Sequence, residues 1–350
     1  MIEDGLLWRS IPDTGKVNVS LSSSATPVFR WQNCSVLPNP LFSDLIKQAD
    51  QYWGADPDIL SSFADRWIVN ICADIDEYAA GLGALDRVLG DQSPIWNHPR
   101  AVALTRRDFA PDVFRGISGL EIPKVVRFAA KNIRIFRRVF EREGFVYPVL
   151  VRPVSSQTGI GLVKVSSDHD WVHLERLSSL GRHFFMTQFI DFRDEKGRYV
   201  KVRVCFIDDT ISLREYGVSG NWQIGSGGNT SPSSEHEIGH SIGQLLEQMH
   251  DFKDWTALRR VCGEMIQRCS LNFWGMDIGV RSDSSFVFFE ANAAMTMAVP
   301  SNVPNSHLAP MTPVYQNIEQ RLRASFARLK SGYAMPVPTL SVQDLIGRNP

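Results

Sequence analysis

The chain has 350 residues, which is enough for about two or three packed domains and a large buried core. Its 37 basic and 38 acidic residues give a formal net charge of -1, so no global field would draw it to nucleic acid or to an anionic membrane. A hydrophobic fraction of 43% with 21% charged residues is typical of a globular protein and excludes a disordered chain.

The five cysteines are odd in number and include no C-x-x-C pair, which argues against a disulfide framework or a structural zinc knuckle. The acidic N-terminus lacks a basic region followed by an apolar one, and no apolar stretch approaches the roughly 18 residues of a membrane span. We therefore expect a soluble, cytoplasmic protein with no nucleic-acid or membrane partner. A homodimer stays open.

Residues 1–35 show no sustained hydrophobic period, which predicts loops with at most one edge strand. Residues 67–71 form an apolar run of strand length, apolar residues at helical spacing follow, and residues 94–96 resemble a second short strand. This β-α-β pattern predicts a parallel sheet in an N-terminal α/β domain.

Strands dominate from residue 147, and helices are predicted near 235–250, 254–270 and 313–329. A Gly/Ser-rich loop over 225–234 precedes the first of these helices. We divide the chain into an irregular N-terminal segment (1–35), an N-terminal domain (36–118), a central unit (119–189), a C-terminal unit (190–332) and a tail (333–350).

Two acids near the C-terminal end of the chain are predicted to pair across a β-hairpin. The position numbers of Asp277 and Glu290 have the same sum as those of 283 and 284, which would form a two-residue turn, and Asn292 joins their face by the period of two. Opposed carboxylates repel each other, so a divalent cation between them would explain the arrangement. Hard oxygen ligands favour Mg²⁺ or Mn²⁺. The alternative is a surface hairpin with scattered charges.

A small-residue loop follows an apolar strand that ends in Arg152. It contains Ser155, Ser156, Gly159 and Gly161, and glycines allow backbone N–H groups to approach phosphate oxygens while arginine adds a fork of donors. Neither the P-loop pattern nor G-x-G-x-x-G is present. A plain glycine hairpin is the alternative interpretation.

A second metal signal is the segment His236-Glu237-Ile-Gly-His240, which matches H-E-x-x-H. On a helix this spacing would place both imidazoles on one face for Zn²⁺, with Glu237 as general base. The third ligand is undecided, and an apolar stripe on the other side of the helix would make these histidines ordinary surface residues. A zinc metallopeptidase is therefore an alternative function.

Taken in order, these pieces resemble the ATP-grasp superfamily, whose carboxylate-amine ligases include D-alanine:D-alanine ligase, glutathione synthetase and the ribosomal-protein glutamate ligases. The similarity covers about residues 60–330 and rests on segments 147–153, 159–161, 187–191, 200–204, 275–277 and 289–292. Segments 96–99 and 289–295 look like a bacterial branch often attached to tetratricopeptide repeats. We expect His98 and Asn97 to line the substrate side.

The resemblance implies an α/β ATP-grasp fold of α+β subdomains behind the parallel-sheet N-terminal domain, with ATP lying between two subdomains. The adenine would be held by the backbone of residues near the hinge, namely Gln188, Phe189 and Ile190, with Asp191 near the ribose. Lys201 or Arg203 would face the phosphates and a developing acyl phosphate. Two Mg²⁺ ions would be held by Asp277, Glu290 and Asn292.

Many relatives have lysine where Arg152 stands and another lysine in the segment that contains Arg106 and Arg107. Arginine also binds phosphate but is not interchangeable with a point-charge lysine. The implied activity is ATP-dependent joining of a small carboxylate to an amine, an amino acid or peptide, through an acyl phosphate. A phosphotransferase and a nucleotide-binding protein without turnover stay open as alternatives.

Overall fold

The computed structural model describes residues 5–15, 18–21, 27–30, 34–89, 93–154, 156, 159–178, 182–224, 255–295 and 312–347. The strands are β1 (Gly5–Arg9), β2 (Asn18–Leu21), β3 (Pro27–Arg30), β4 (Ala49–Trp53), β5 (Trp67–Asn70), β6 (Ile95–Trp96), β7 (Leu120–Glu121), β8 (Val125–Ala130), β9 (Val149–Pro153), β10 (Val163–Val165), β11 (Arg182–Gln188), β12 (Tyr199–Ile207), β13 (Thr210–Ser219), β14 (Phe273–Val280) and β15 (Phe286–Asn292).

The helices are α1 (Asn39–Ile46), α2 (Pro57–Ser61), α3 (Ile75–Val88), α4 (Pro99–Leu104), α5 (Ala110–Phe114), α6 (Ile133–Arg142), α7 (Glu175–Ser178), α8 (Trp255–Arg268), α9 (Thr312–Lys330) and α10 (Val342–Gly347), with a 3₁₀ helix over Asp168–Leu174. Within the described ranges, no helix is both long enough and apolar enough to cross a membrane.

The N-terminal sheet has the strand order β4-β1-β5-β6, and all of its pairs are parallel. The β-α-β unit predicted over residues 67–96 is confirmed, because β5 and β6 pair in parallel around α3. Helix α3 begins after Asp74, whose side chain accepts a hydrogen bond from the N–H of Asp76 at 2.8 Å. This N-cap satisfies a backbone donor that the helix itself leaves unpaired.

The expectation of an irregular segment over residues 1–35 is wrong for β1. This strand lies inside the sheet between β4 and β5, and its Leu6 and Trp8 are fully buried. A strand of five residues is too short to display a period, and both partner strands are distant in the sequence. Gly5 is required there, because a Cβ at this position would lie 2.1 Å from the Trp67 ring.

The central sheet is antiparallel, with the strand order β10-β9-β11-β8. Helix α6 packs on it through Phe136 and Val139, and the rings of Phe128 and Phe184 complete this core. The arginines of α6 are exposed, as expected for a solvated helix face. Strand β9 leads from this core directly into the small-residue loop.

The C-terminal sheet has the strand order β13-β12-β14-β15-β7, and every residue of β14 is buried. A tight hairpin around residues 208 and 209 joins β12 to β13, since Ile207 pairs with Thr210. Phe206 and Trp274 stack with their ring centroids 3.9 Å apart. The predicted helix over 254–270 is α8, whereas the predicted loop 225–234 and helix 235–250 lie outside the described residues.

Candidate active site

The structure pairs the two predicted carboxylates directly across the hairpin of β14 and β15. Asp277 pairs with Glu290, and Gly275 pairs with Asn292. Because side chains alternate along a strand, Glu290 and Asn292 share one face. The side-chain oxygen of Asn292 also accepts the N–H of Ala294 at 2.7 Å, which orients this amide.

The turn that creates this pairing differs from the predicted one. Arg281 and Ser285 close a three-residue loop through a backbone hydrogen bond of 3.0 Å, and Ser284 has a left-handed φ of 63°. The register then shifts by one residue beside Asp277, where a β-bulge at Phe289 restores the predicted pair. The prediction of a two-residue turn is wrong. The observed loop is one residue longer and the bulge adds one residue to β15, so the two differences cancel and Asp277 still pairs with Glu290.

Two cations from β12 hold Asp277, whose side chain is only 5% exposed. Arg203 is its cross-strand partner and donates from Nε at 2.5 Å and from Nη2 at 2.8 Å, one bond to each carboxylate oxygen. The Nζ of Lys201 lies 2.7 Å from the same carboxylate. Burial lowers the pKa of Arg203, but its hydrogen bonds to Asp277 outweigh this and raise the pKa above the ordinary value.

Glu290 has its own cations from other parts of the chain. Arg107, in the segment between α4 and α5, forms an ion pair with it, and the Nη1 of Arg152 lies 3.9 Å from the same carboxylate oxygen. Burial by itself raises the pKa of Glu290. The positive charges of Arg107, Arg152, Lys201 and Arg203 outweigh the effect of burial and lower this pKa to about 2. The repulsion between the two carboxylates is therefore already offset by side-chain cations.

Arg106 faces a different partner from its neighbour. Its guanidinium forms a two-bond ion pair with Asp108 at 2.6 and 2.9 Å and lies 3.8 Å from the ring centroid of Phe109. It lines the same cleft as Arg107, but its donors are partly used. Of the two predicted arginines, Arg107 is the one that contacts the carboxylates.

Arg152 connects the small-residue loop to the carboxylates. Its Nε donates to the hydroxyl of Ser156 at 3.1 Å, and its Nη2 donates to the Ser156 carbonyl. Gly159 and Gly161 have φ values of 77° and 70°, a conformation that glycine adopts without strain. Burial and the nearby charge of Arg107 lower the pKa of Arg152 to about 9, which leaves it charged at neutral pH.

The predicted adenine hinge is partly occupied by its own hydrogen bonds. The side chain of Gln188 binds the backbone N–H and carbonyl of Val146, and the N–H of Phe189 donates to the carbonyl of Pro148 at 3.1 Å. Across the described ranges, no hydrogen bond uses the backbone of Ile190. Asp191 is ion-paired with Arg193 at 2.5 Å.

Above the ring of Phe189 lies a lysine that the sequence did not single out. The Nζ of Lys164 is 3.5 Å from the Phe189 ring centroid and 5.5 Å from that of Trp222. These contacts place a cation and two aromatic rings beside the hinge.

A cleft lies beside Glu290 and Asn292, and its volume is about 540 Å³ when the open space at its mouth is included. One wall comes from the junction of β5 and α3, and the facing walls come from Arg107, from Arg152 with its loop, and from Glu290. Burial and the neighbouring charge of Asp76 raise the pKa of Asp74 on the first wall to about 7. The sequence analysis did not identify Asp74 as a site residue. The signal that could have found it is its position as an N-cap after the C-terminal end of a parallel strand, which is where ligands of α/β sheets bind.

Four predicted site residues lie outside the described part of the chain: Ser155, His236, Glu237 and His240. Within the described part, no group of three or more histidine, cysteine, aspartate or glutamate side chains is placed to hold a metal ion. The predicted magnesium ligands are two such acids and one amide, so their role stays a prediction.

Solved structures are similar to this chain over most of its length. The VanG D-Ala:D-Ser ligase from Enterococcus faecalis has a TM-score of 0.50 and 11% identity, with 92% of this chain and 98% of that chain covered. A D-alanine–D-alanine ligase from Bacillus anthracis complexed with ATP has a TM-score of 0.49 and 11% identity, with coverage of 95% and 100%. A RimK domain ATP-grasp protein from Sphaerobacter thermophilus has a TM-score of 0.43 and 15% identity, with coverage of 83% and 90%.

No protein-family model matches the sequence, and no curated protein matches it. The chain has the α/β ATP-grasp fold that its motifs predicted. At 11% identity the likeness establishes the fold alone, so the reaction must be argued from the cleft.

Proposed function

We propose that this protein is an ATP-dependent ligase that joins a small carboxylate to an amine, such as that of an amino acid or peptide, through an acyl phosphate. One observation carries the proposal. On an ATP-grasp fold, four cations from three parts of the chain converge on a pair of opposed carboxylates, and Glu290, Arg107 and Arg152 of this group line a cleft. Transfer of a phosphoryl group needs little covalent help but much charge stabilisation.

The cations would perform most of this work. Arg152 and Arg107 would hold phosphate oxygens on the side of the small-residue loop, and Lys201 and Arg203 would do so from β12. As the γ-phosphoryl group moves to the substrate carboxylate, these fixed charges would stabilise the negative charge that develops on the transferred group. ADP would leave, and the carboxylate would become an acyl phosphate.

The donor set at the hairpin fits a hard divalent cation. Asp277, Glu290 and Asn292 offer carboxylate and amide oxygens at one end of a β-hairpin, and a carbonyl oxygen that already accepts one hydrogen bond keeps a second lone pair. Bound Mg²⁺ or Mn²⁺ would supply further positive charge against the phosphates. These three side chains are the proposed metal ligands.

The amine would then complete the reaction. Its nitrogen would bond to the acyl carbon, inorganic phosphate would leave, and a proton of the amine would pass to the departing phosphate. The acyl phosphate must be protected from water, which the walls of the cleft and the loop held by Arg152 can exclude.

The test is ATP consumption by site variants. ADP and phosphate release is measured against mixtures of amino acids and small carboxylic acids, and the products are weighed by mass spectrometry. Asp277→Ala and Glu290→Ala are each expected to abolish ATP consumption while the circular dichroism spectrum is unchanged. Asp283→Ala, an acid of the same hairpin outside the cleft, is the matched control and should retain activity.

Full activity in either site variant would remove the metal-site assignment. A phosphorylated hydroxyl product in place of an amide would make the protein a phosphotransferase. Tight ATP binding without ADP release under every mixture would contradict the ligase and indicate a protein that only binds nucleotide.

A further inference from the structure

Two of the five cysteines lie opposite each other at one end of the N-terminal sheet. Cys34 forms an antiparallel bridge with Cys72, which lies two residues after the end of β5. The backbone hydrogen bond of this bridge runs from the N–H of Ser35 to the carbonyl of Ile71 at 2.9 Å, so the cysteines themselves are a non-hydrogen-bonded pair. In such a pair the Cα atoms lie about 4.5 Å apart and the side chains face each other, which is within the range of roughly 4.4–6.8 Å that a disulfide spans.

Polar groups surround the two sulfur atoms. The Sγ of Cys34 is in hydrogen-bond contact with the hydroxyl of Tyr78 at 3.2 Å, and the N–H of Ser10 donates to the Sγ of Cys72 at 3.1 Å. Arg9 brings a positive charge to the same place, and across the described residues its buried Nε has no hydrogen-bond partner. Hydrogen bonds and a nearby cation favour the thiolate form of a cysteine, which is the form that reacts.

The two thiols differ in exposure and in acidity. Cys34 is partly exposed, whereas Cys72 is fully buried. A hydrogen bond from the Cys72 thiol is the largest influence on the pKa of Cys34, and with the Tyr78 hydroxyl and the charge of Arg9 it outweighs burial and lowers this pKa below its ordinary value. Burial raises the pKa of Cys72 well above the ordinary value. Cys34 is therefore the thiol that attacks an oxidant, and Cys72 is placed to react with the product.

The cysteine pair borders the cleft. The residues directly after Cys72 line it, and Asp74 is one of them. On the other side of the bridge, the hydroxyl of Ser35 donates to the carbonyl of Ala293 at 2.8 Å, one residue beyond the end of β15. A bond between the two sulfur atoms would join two chain segments that both lead to the site residues.

We propose that Cys34 and Cys72 are a redox modification site, at which a hydroperoxide converts the two thiols into a disulfide that a dithiol reverses. The Cys34 thiolate attacks one oxygen of the hydroperoxide, the O–O bond breaks, and the other oxygen takes up the proton that Cys34 released and leaves as water or an alcohol. The Cys72 thiol then loses its proton, and its sulfur attacks the sulfenic acid on Cys34. The S–S bond forms, the S–O bond breaks, and the departing hydroxide takes this proton and leaves as water. The two thiols lose two electrons in total, and the hydroperoxide gains them.

The test is oxidation of the full chain by a slight molar excess of hydrogen peroxide, after reduction and removal of the reductant. Remaining thiols are blocked with N-ethylmaleimide in denaturant and counted, and the digested protein is mapped by mass spectrometry. The count is expected to fall from five to three per chain, because two thiols enter one disulfide. The map should contain a peptide with Cys34 joined to Cys72, and dithiothreitol should restore all five thiols.

Two substitutions assign the roles of the thiols. In Cys72→Ser the reaction should stop at the sulfenic acid of Cys34, which dimedone labels. In Cys34→Ser neither the disulfide nor the dimedone label should form, because the buried Cys72 does not react by itself. Cys262→Ser is the matched control and should form the disulfide like the wild type, since burial raises the pKa of this core thiol to about 12. Circular dichroism confirms that each variant is folded.

The wild type alone can contradict the proposal, whether or not the variants fold. Five blocked thiols after peroxide treatment would overturn it, and so would a disulfide that joins a different pair of cysteines. Oxidation of Cys34 to a sulfinic acid with no cross-linked peptide would show that Cys72 does not reach it, which also overturns the proposal. The modification site is independent of the proposed function, because none of these measurements involves ATP.

Discussion

Two polar networks lie on the C-terminal sheet, and they differ in almost every respect. The first, which we call the closed network, joins this sheet to β6 and to α9. Its polar members are Trp96, Asn97, Asp208, Asn272, Ser325 and Arg328. The amide of Asn97 binds both backbone groups of Phe273 at 2.9 Å, and the amide of Asn272 binds Asp208 at 2.8 Å. Asn97 is 1% exposed, so the expectation that it lines the substrate side is wrong.

The second, the open network, consists of Asp277, Glu290 and their four cations. It contains more positive than negative charge, it borders a cleft, and its partners come from three separate parts of the chain. A buried polar group whose partners are all protein atoms holds elements together, whereas unequal charge beside a cleft leaves capacity for a ligand. Burial of polar residues alone would not have distinguished the two networks.

The largest effect is expected in the closed network. Asn97→Ala should lower the free energy of unfolding by about 4 kcal/mol, because two buried backbone groups of Phe273 lose their partners and alanine fits poorly at a φ of 58°. Urea unfolding followed by tryptophan fluorescence measures this. Asn221→Ala on the surface is the control, and a loss below about 1 kcal/mol for Asn97→Ala would contradict the structural role of this network.

A smaller, pH-dependent loss is expected in the open network. The pKa of Glu290 lies below its ordinary value of 4.5, at about 2, so the ionised group stabilises the fold above pH 4.5 and this contribution disappears as the pH falls towards 2. Glu290→Gln should therefore cost on the order of 2 kcal/mol at pH 7 and much less at pH 3. Equal losses at both pH values would show that the cations do not act on this carboxylate.

The opposite sign is expected for Asp74 across the cleft. Its pKa is raised from 3.8 to about 7, so its ionisation destabilises the fold above pH 7, and the penalty is relieved as the pH falls towards 4. Asp74→Asn keeps an N-cap and should stabilise the protein by about 1 to 2 kcal/mol at pH 8, with no gain at pH 4. Asp56→Asn, the N-cap of α2, is the matched control without this trend. A destabilised variant at pH 8 would contradict the burial of this charge.

The smallest effect is expected for an ion pair outside both networks. Arg115 and Asp112 lie 2.6 Å apart, but their side chains are 70% and 72% exposed. Arg115→Gln should change the free energy of unfolding by less than about 0.5 kcal/mol. A larger change would mean that distance alone, without burial, decides the contribution of an ion pair in this protein.

Local pairing explains which parts of the site could be predicted. Asp277 and Glu290 lie on adjacent strands of one hairpin, so counting along the chain was sufficient to pair them. The error in the length of the turn was cancelled by a bulge that the sequence did not predict. The places of Arg107 and Asp74 in the cleft could not be predicted in this way, because nothing in the sequence near them shows which wall of the cleft they form. The strand Gly5–Arg9 was missed for the same reason, since its hydrogen-bond partners are remote.

The sequence by itself determined the β-α-β unit over residues 67–96, the glycine-containing loop and the presence of two acids and an amide on one hairpin face, because these features depend on local spacing and backbone conformation. Only the tertiary structure decided that four cations from distant segments surround those acids, and that Asn97 is a structural residue. The balance of charge in a cleft is a sum over groups brought together by folding, and it is not encoded in any short stretch of the chain.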